Sequence, residues 1–489
     1  MTSSLSTMQA NQVFLARSAE AHYGECRRGE WPEIPSHVRP TQALATLREL
    51  LRLAGLDARR FGTADWNPMA EFIREGMRVV LKPNWVLHAH RGGHGLDCLL
   101  THTSVLEALL VYVVKARPST VVVGDAPVQG CDFDELRKAC QLDRLSEALG
   151  TNDTLVLVKD FRRTIREDNR IESDMQQDCR PLDDFVLFDV GRDSVLEAIS
   201  AADSEFRVTM YNPELMKRTH GPGRHQYLIA RDIIEADVVI NVPKLKTHMK
   251  ACVTGSLKNL IGINGHKEYL PHHRKGGAER GGDCYEGGAW VKHFVEDCLD
   301  AANRTDRTSM RRAMALAARV GSAVGRVLGE DSNFEGGWYG NDTIWRTCLD
   351  LQRILRFGRV DGTLADNPAR VVLSVTDAII AGEGEGPLFP EPVPLGLLTM
   401  GLSTAATEWV HCLLMGLDPH RIALVREAFQ AHRFPLTNFS PSEITVMADN
   451  QRVLPDNVFR DYGRAFKPPC GWKGHCEVPE VECMKAATC

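Results

Sequence analysis

Short, unbroken aliphatic runs constrain this chain more than any other feature. Val79-Val80-Leu81, Val121-Val122-Val123, Val238-Val239-Ile240 and Val371-Val372-Leu373 carry no polar alternation. A strand with one wet face alternates, whereas a strand covered on both faces does not. The first two runs flank "SVLEALLVYVVKA", whose apolar spacing is helical and for which Thr103 or Ser104 is the expected N-cap. Two such strands joined by a helix form a βαβ unit. The expectation is an α/β fold, with parallel-sheet βαβ units in two α/β regions and a helical insertion between parts of the second.

Along the chain, residues 1–60 read as an irregular lead-in to about residue 40 and then a first helix, "TQALATLRELLRLAGL". Residues 61–150 hold the first α/β region. Residues 151–284 hold a second, with strand candidates "TLVLVKDF", "FVLFDV" and "FRVTMY" separated by polar loops, including "REDNRIESDMQQD". There "YLIARDIIEA" reads as a helix entering the strand "DVVINVP", and "GSLKNLIGI" as a short helix opened by Gly255. Residues 285–364 read as a helical insertion. Residues 365–460 return to the α/β core, with "LGLLTMGLST" and "SEITVMAD" as strands around the helix "ATEWVHCLLMGLD". Residues 461–489 form a loop-like tail with Cys470, Cys476, Cys483 and Cys489.

Each aliphatic run ends in polar residues, and in open parallel sheets ligands bind beyond the carboxyl ends of the strands. Lys82-Pro83-Asn84 follows the first run and Gly124-Asp125-Ala126-Pro127 the second; either alone is also a plain turn. After the third come Lys244, Lys246, His248, Lys250 and Lys258 within 15 residues. Extended, the first four alternate onto one face, which suits an edge strand or an anion site. Thr254, Gly255 and Ser256 then open a turn whose free N–H groups suit an anion. Asn259 follows in the same stretch. His266, His272 and His273 are candidate metal ligands, although adjacent histidines rarely hold one ion together. Asp377 ends the fourth run, and Glu383 and Glu385 alternate with glycines after it.

With 58 basic and 64 acidic residues the net charge is -6, so any basic function is local and a general nucleic-acid binder is not expected. No run has membrane-spanning length and the first residues lack a signal-peptide core, so a cytoplasmic, non-membrane protein is expected. The 14 cysteines include no C-x-x-C pair, which removes the ferredoxin-type cluster motif.

The pieces "VVLKPN", "VVVGDAP", "ADVVINVPKLKTH", "GSLKNLIGINGHK" and "TDAIIAGEGEGP", in this order over roughly residues 78–420, resemble the domain of unknown function (DUF362) family. Some members carry iron–sulfur segments, whose cysteine motif this chain lacks. "GLSTAATE" stands where the family tends to have an aspartate pair, with Ser403 and Glu408 at those positions. A more distant resemblance is to the nickel-pincer lactate racemase family. It rests on Ala236-Asp237, His248, Gly255, Lys258 and Gly262-Ile263, with His248 and Lys258 ten residues apart. That resemblance implies cofactor attachment at Lys258, acid/base chemistry at His248 and nickel ligation by His272 or His273. Two of that family's motifs are replaced here by Lys82-Pro83-Asn84 and Gly124-Asp125-Ala126-Pro127, so it implies shared architecture.

The expected function is an enzyme of acid/base, isomerase-like chemistry on a small carboxylate or phosphate. His248, Lys258, Asp125, Asp377 and Glu383 form the catalytic set. Lys82, Asn84, Lys244, Lys246, Thr254, Gly255 and Asn259 form the binding set. A divalent metal or pincer-type cofactor is open, with His266, His272 and His273 as ligands. A redox protein using the tail cysteines and a non-catalytic binding protein are the alternatives.

Overall fold

The computed structural model describes residues 8–147, 153–166, 175–176, 179–208, 211–328 and 334–479. Its centre is one mostly parallel sheet. In chain order the strands are β1 (Gln12–Arg17), β2 (Arg78–Pro83), β3 (Thr120–Asp125), β4 (Leu155–Asp160), β5 (Val238–Val242), β6 (Lys244–His248), β7 (Cys252–Thr254), β8 (Val371–Glu385), β9 (Phe389–Gly401), β10 (Thr445–Ala448) and β11 (Gln451–Val453). They lie side by side as β11-β10-β1-β9-β8-β5-β2-β3-β4, with β6 pairing β8 and β7 off this path. From β8 to β4 all pairings are parallel, while β9 runs antiparallel to β8 and to β1.

The aliphatic runs occupy the middle of this sheet as expected. Val79, Leu81, Val121, Val123, Val238 and Ile240 face one core with the helices α1 (Gln42–Leu53) and α2 (Thr103–Lys115). Val80, Val122 and Val239 face the opposite core with Phe161, Ile229 and Ile233. Alternate residues of a strand point to opposite faces, so unbroken apolar runs are what two covered faces require. The strands of the two α/β regions join directly, since β5 sits between β2 and β8.

The helical insertion comprises α3 (Trp290–Arg304), α4 (Thr308–Val327) and α5 (Ile344–Phe357). Leu351, Ile354 and Leu355 of α5 pack into the second core. The helix α6 (Thr404–Met415) follows β9. No helix among the described residues is long and apolar enough to cross a membrane.

Four local expectations differ. The lead-in is not wholly irregular: "QVFLAR" is β1, paired on both sides, with Val13 and Leu15 buried in one core and Phe14 and Ala16 in another. In "YLIARDIIEA" the first four residues finish the strand Arg224–Ala230, and only Arg231–Glu235 is helical. Tyr227, Leu228 and Ile229 find cross-strand partners there, which outweighs helical propensity. The N-cap of α2 is His102, whose Nδ1 accepts from Ser104 N at 3.1 Å. The turn after Gly255 is a six-residue 3-10 segment, Lys258–Ile263. Most of the acidic loop 166–178 lies outside the described residues.

Candidate functional site

At the carboxyl ends of β2, β3 and β5 the chain encloses a cavity of about 390 Å³. Lys82, Asn84, Asp125, Lys246, His248, Thr254, Lys258, Asn259 and His272, all singled out from sequence, line it together. Lys250, of the same sequence cluster, lines it too, and Trp85, Arg91, Lys267 and Glu335 join them, with Val86, Val208, Met249, Pro387 and Leu388 as apolar wall.

The floor is a buried ion pair, Lys82 Nζ to Asp125 Oδ1 at 2.7 Å. Asp125 also accepts from Trp85 N at 2.6 Å and Ala126 N at 2.8 Å. Burial pushes the Asp125 carboxyl up and the Lys82 ammonium down, and their mutual attraction offsets both. Asn259 ties the floor together. Its Oδ1 accepts from Lys82 Nζ at 3.0 Å and Asn84 Nδ2 at 3.1 Å, while its Nδ2 donates to Lys82 O and Asn241 Oδ1. A Cβ on Gly262 would stand 1.8 Å from Asp125 Oδ1, so only glycine lets the Lys258–Ile263 turn close over the pair.

Around this floor positive charge exceeds negative. Lys82, Arg91, Lys246, Lys250, Lys258 and Lys267 meet only Asp125 and Glu335 as carboxylates in the lining. Lys246 Nζ donates to Leu99 O at 2.5 Å and Lys267 Nζ to Ala126 O at 3.2 Å. Neither bond is to a counter-ion. Burial, together with neighbouring lysines, pushes each down to about 7. Burial likewise lowers Lys250 and Lys258. Lys258 Nζ makes no hydrogen bond or ion pair among the described residues. Three more polar atoms of the lining are buried without a hydrogen-bond partner: Asn84 Oδ1, Trp85 Nε1 and Thr254 Oγ1. Buried polar groups are normally satisfied, so these three, together with the unpaired Lys258 ammonium, mark places for a ligand's atoms.

The two histidines of the lining hold opposite tautomers. His248 Nδ1 accepts from Lys250 N at 3.0 Å, so the neutral ring carries its proton on Nε2. His272 Nδ1 donates to Leu270 O at 2.6 Å, which leaves Nε2 as the lone-pair nitrogen. Burial, then the surrounding lysines, hold both imidazoles well below their usual range, so both are neutral at pH 7. One is poised to donate a hydrogen bond and the other to accept a proton.

The remaining sequence candidates lie elsewhere. Lys244 and Asp377 form their own fully buried pair at 2.6 Å, braced by Tyr23 OH at 2.6 Å from Lys244 Nζ and 2.6 Å from Asp377 Oδ1. Asp377 also accepts from His102 N at 2.9 Å. This network clasps the N-terminal segment to β6 and β8, away from the cavity lining. Glu383 accepts from Lys467 N at 2.9 Å, and Glu385 from Cys470 N at 2.6 Å, so both acids anchor the tail. Gly255 packs against α6, where a Cβ would meet Glu408 Oε2 at 2.1 Å. His266 sits beside Glu268, with Nε2 3.5 Å from Oε2. His273 turns into a neighbouring cavity. The three histidines of the expected metal set therefore form no cluster. In the tail Cys470 is exposed and Cys476 buried, and Cys483 and Cys489 lie outside the described residues.

Sequence reasoning missed Trp85, Arg91, Lys267 and Glu335. Trp85 and Lys267 directly follow noted residues, Asn84 and His266. Glu335 comes from the helical insertion and has no local signal.

Residues 190–412 match the model of the family described as domain of unknown function (DUF362), in agreement with the motif resemblance. No curated protein matches the chain. Among solved structures, a crystal structure of a protein from Thermotoga maritima, determined by a structural genomics consortium, is 12% identical with a TM-score of 0.32. The alignment covers 75% of this chain and 58% of that one.

Proposed function

We propose that this chain, with its DUF362 region over residues 190–412, is an enzyme performing acid/base chemistry on a small, multiply anionic substrate. The observation that carries the reading is the cavity's unmatched charge combined with its unpartnered polar atoms. An anion of two or more charges relieves the mutual repulsion of Lys246, Lys258 and Lys267, and Lys258 supplies a point charge free of other bonds. Thr254 Oγ1 and Trp85 Nε1 donate to its oxygens, and Val86, Met249, Pro387 and Leu388 enclose its carbon portion.

His272 Nε2 is the proton acceptor, and His248 Nε2–H donates to an oxygen on which negative charge develops. Burial first, and the lysines second, keep the His272 ring neutral; an anion in the lysine cluster offsets the second of these and so raises its proton affinity. The base then becomes effective when substrate is present. Asp125 and Lys82 hold the floor and are not exposed enough to shuttle protons.

A second reading rests on Lys258 having no partner. A pincer-type cofactor attached to Lys258 would occupy this cavity, with His272 available as its nickel ligand, and would supply hydride transfer. Intact mass separates the two: an adduct on Lys258 favours the cofactor, an unmodified chain the simple acid/base site.

The test is deuterium exchange from D₂O into a panel of small carboxylates and phosphate esters, followed by NMR. Exchange by the native protein should fall about 10²–10⁴-fold in His272→Gln. Native-level exchange in that variant removes His272 as the base. Failure of sulfate, phosphate and citrate to bind removes the anion site.

A further inference from the structure

Beside the lysine cavity lies a second one of about 480 Å³, which shares Val208 and Glu335 with it. On its wall one imidazole nitrogen of His273, Cys284 Sγ and a Glu296 carboxylate oxygen all lie within 4.8 Å of one another. All three residues are buried. No other group of three or more such side chains comes this close among the described residues. His273 is 5% exposed, and its Nδ1 is buried with no hydrogen-bond partner. The thiol and carboxylate hydrogen-bond each other, but a buried histidine of the same cluster keeps a ring nitrogen with no partner, an arrangement that a bound ion would resolve.

We propose that His273, Cys284 and Glu296 bind a divalent transition metal of the zinc class. Nitrogen, sulfur and oxygen donors in one set suit a borderline ion and do not suit magnesium or calcium, which take oxygen ligands. Binding replaces the Cys284 thiol proton, which leaves to solvent, so thiolate and carboxylate together neutralise the ion's two charges. That balance matters because Lys250 and Arg207 stand nearby and oppose an uncompensated cation. Three protein ligands leave one coordination position for water, facing the cavity, as in catalytic zinc sites. The outer shell is in place: Gly276 N donates to both Glu296 oxygens at 3.0 and 3.1 Å.

The site is separate from the pincer reading, which concerns Lys258 and His272 in the other cavity. Adjacent His272 and His273 face different chambers, so a metal on His273 stands one residue from the proposed base.

The experiment uses the full chain, stripped with a chelator and titrated with Co²⁺ and Zn²⁺. Expected are one equivalent of tightly held metal by elemental analysis and, for Co²⁺, a thiolate charge-transfer band in the near ultraviolet. Cys284→Ser should abolish the band, and Glu296→Gln should weaken metal affinity about 10–100-fold. Lys258→Met should leave both intact, which keeps this result independent of the lysine cavity. Near-ultraviolet circular dichroism of the metal-free variants checks folding, and Glu296→Gln stands alone if Cys284→Ser does not fold. Substoichiometric uptake overturns the proposal. So does one equivalent without the thiolate band, or metal retained unchanged in both variants.

Discussion

Binding of a fixed-charge anion in the lysine cavity should draw protons from solvent, in an amount set by pH. Lys246 and Lys267 are pushed down to about 7, so in the anion-free protein at pH 7 each is about half protonated. Burial, and after it the neighbouring cations, deny these ammonium groups a counter-charge; an anion beside them supplies one and raises their proton affinity toward the ordinary lysine range. Each then takes up about 0.5 proton at pH 7, or about 1 per anion for the pair. At pH 6 both are already about nine-tenths protonated, and uptake falls to about 0.2. At pH 8.5 both are almost wholly neutral, and uptake approaches about 2. Sulfate is the probe of choice because its own charge is constant over this range. Calorimetric titration in buffers of different ionisation enthalpy gives the proton count directly. Lys267→Met should lower the value at pH 7 to about 0.5. Sulfate binding with no proton uptake, or with uptake that does not rise from pH 6 to 8.5, refutes the claim that these lysines sit half-discharged and unmatched in one cavity.

Four further expectations follow from the same geometry. Unfolded, Lys246 and Lys267 keep their protons to about 10.5, whereas folded they keep them only to about 7. The unfolded chain therefore binds more protons between these values, and anion-free thermal stability should gain from these lysines as pH rises from 7 toward 10. Saturating sulfate should flatten that rise in a differential scanning fluorimetry series. Lys258→Met removes one charge-assisted contact of about 1.5–3 kcal/mol, so sulfate affinity should fall about 10–100-fold in calorimetry with melting temperature little changed. Gly262→Ala drives a Cβ into Asp125 and Lys82, and splitting a buried pair costs about 3–5 kcal/mol, visible as a large drop in melting temperature. Asp377→Asn leaves Lys244 buried without its counter-charge and should destabilise by a similar amount, yet purified folded protein should bind sulfate normally, because that pair lies outside the cavity.

The parts of the fold that depend on local pattern were legible. Unbroken aliphatic runs gave the doubly covered strands, and 3.6-residue spacing gave α1, α2 and the insertion helices. What escaped depends on distant partners. β1 is six residues of unremarkable sequence whose strand identity comes from pairing with β9 and β10, hundreds of residues further along the chain. The candidate site divides in the same way. Several of the polar residues at strand ends do line one cavity, because strand ends are where a parallel sheet leaves room. Sequence cannot say which strand end faces which space. Lys244 and Lys246 alternate with the same spacing, yet β6 pairs with β8 near Asp377, and that neighbour captures Lys244 while Lys246 reaches the cavity.

His272 and His273 show how a local rule becomes informative once its surroundings are known. Neighbouring side chains of an extended segment point to opposite sides. That rule already argued against both binding one ion. It did not reveal that each side holds a cavity, because the walls come from residues far off in the chain: Lys258 and His248 on one side, Cys284 and Glu296 on the other. The helical insertion supplies Glu296 from α3 and Glu335 from the loop that follows α4. A segment that reads from sequence as a cap over a finished α/β core therefore contributes acidic groups to both chambers. Glu296 stands with Cys284 beside His273, and Glu335 borders both chambers, so the lysine cavity receives one carboxylate from the insertion while Lys246, Lys258 and Lys267 keep no carboxylate partner of their own among the described residues.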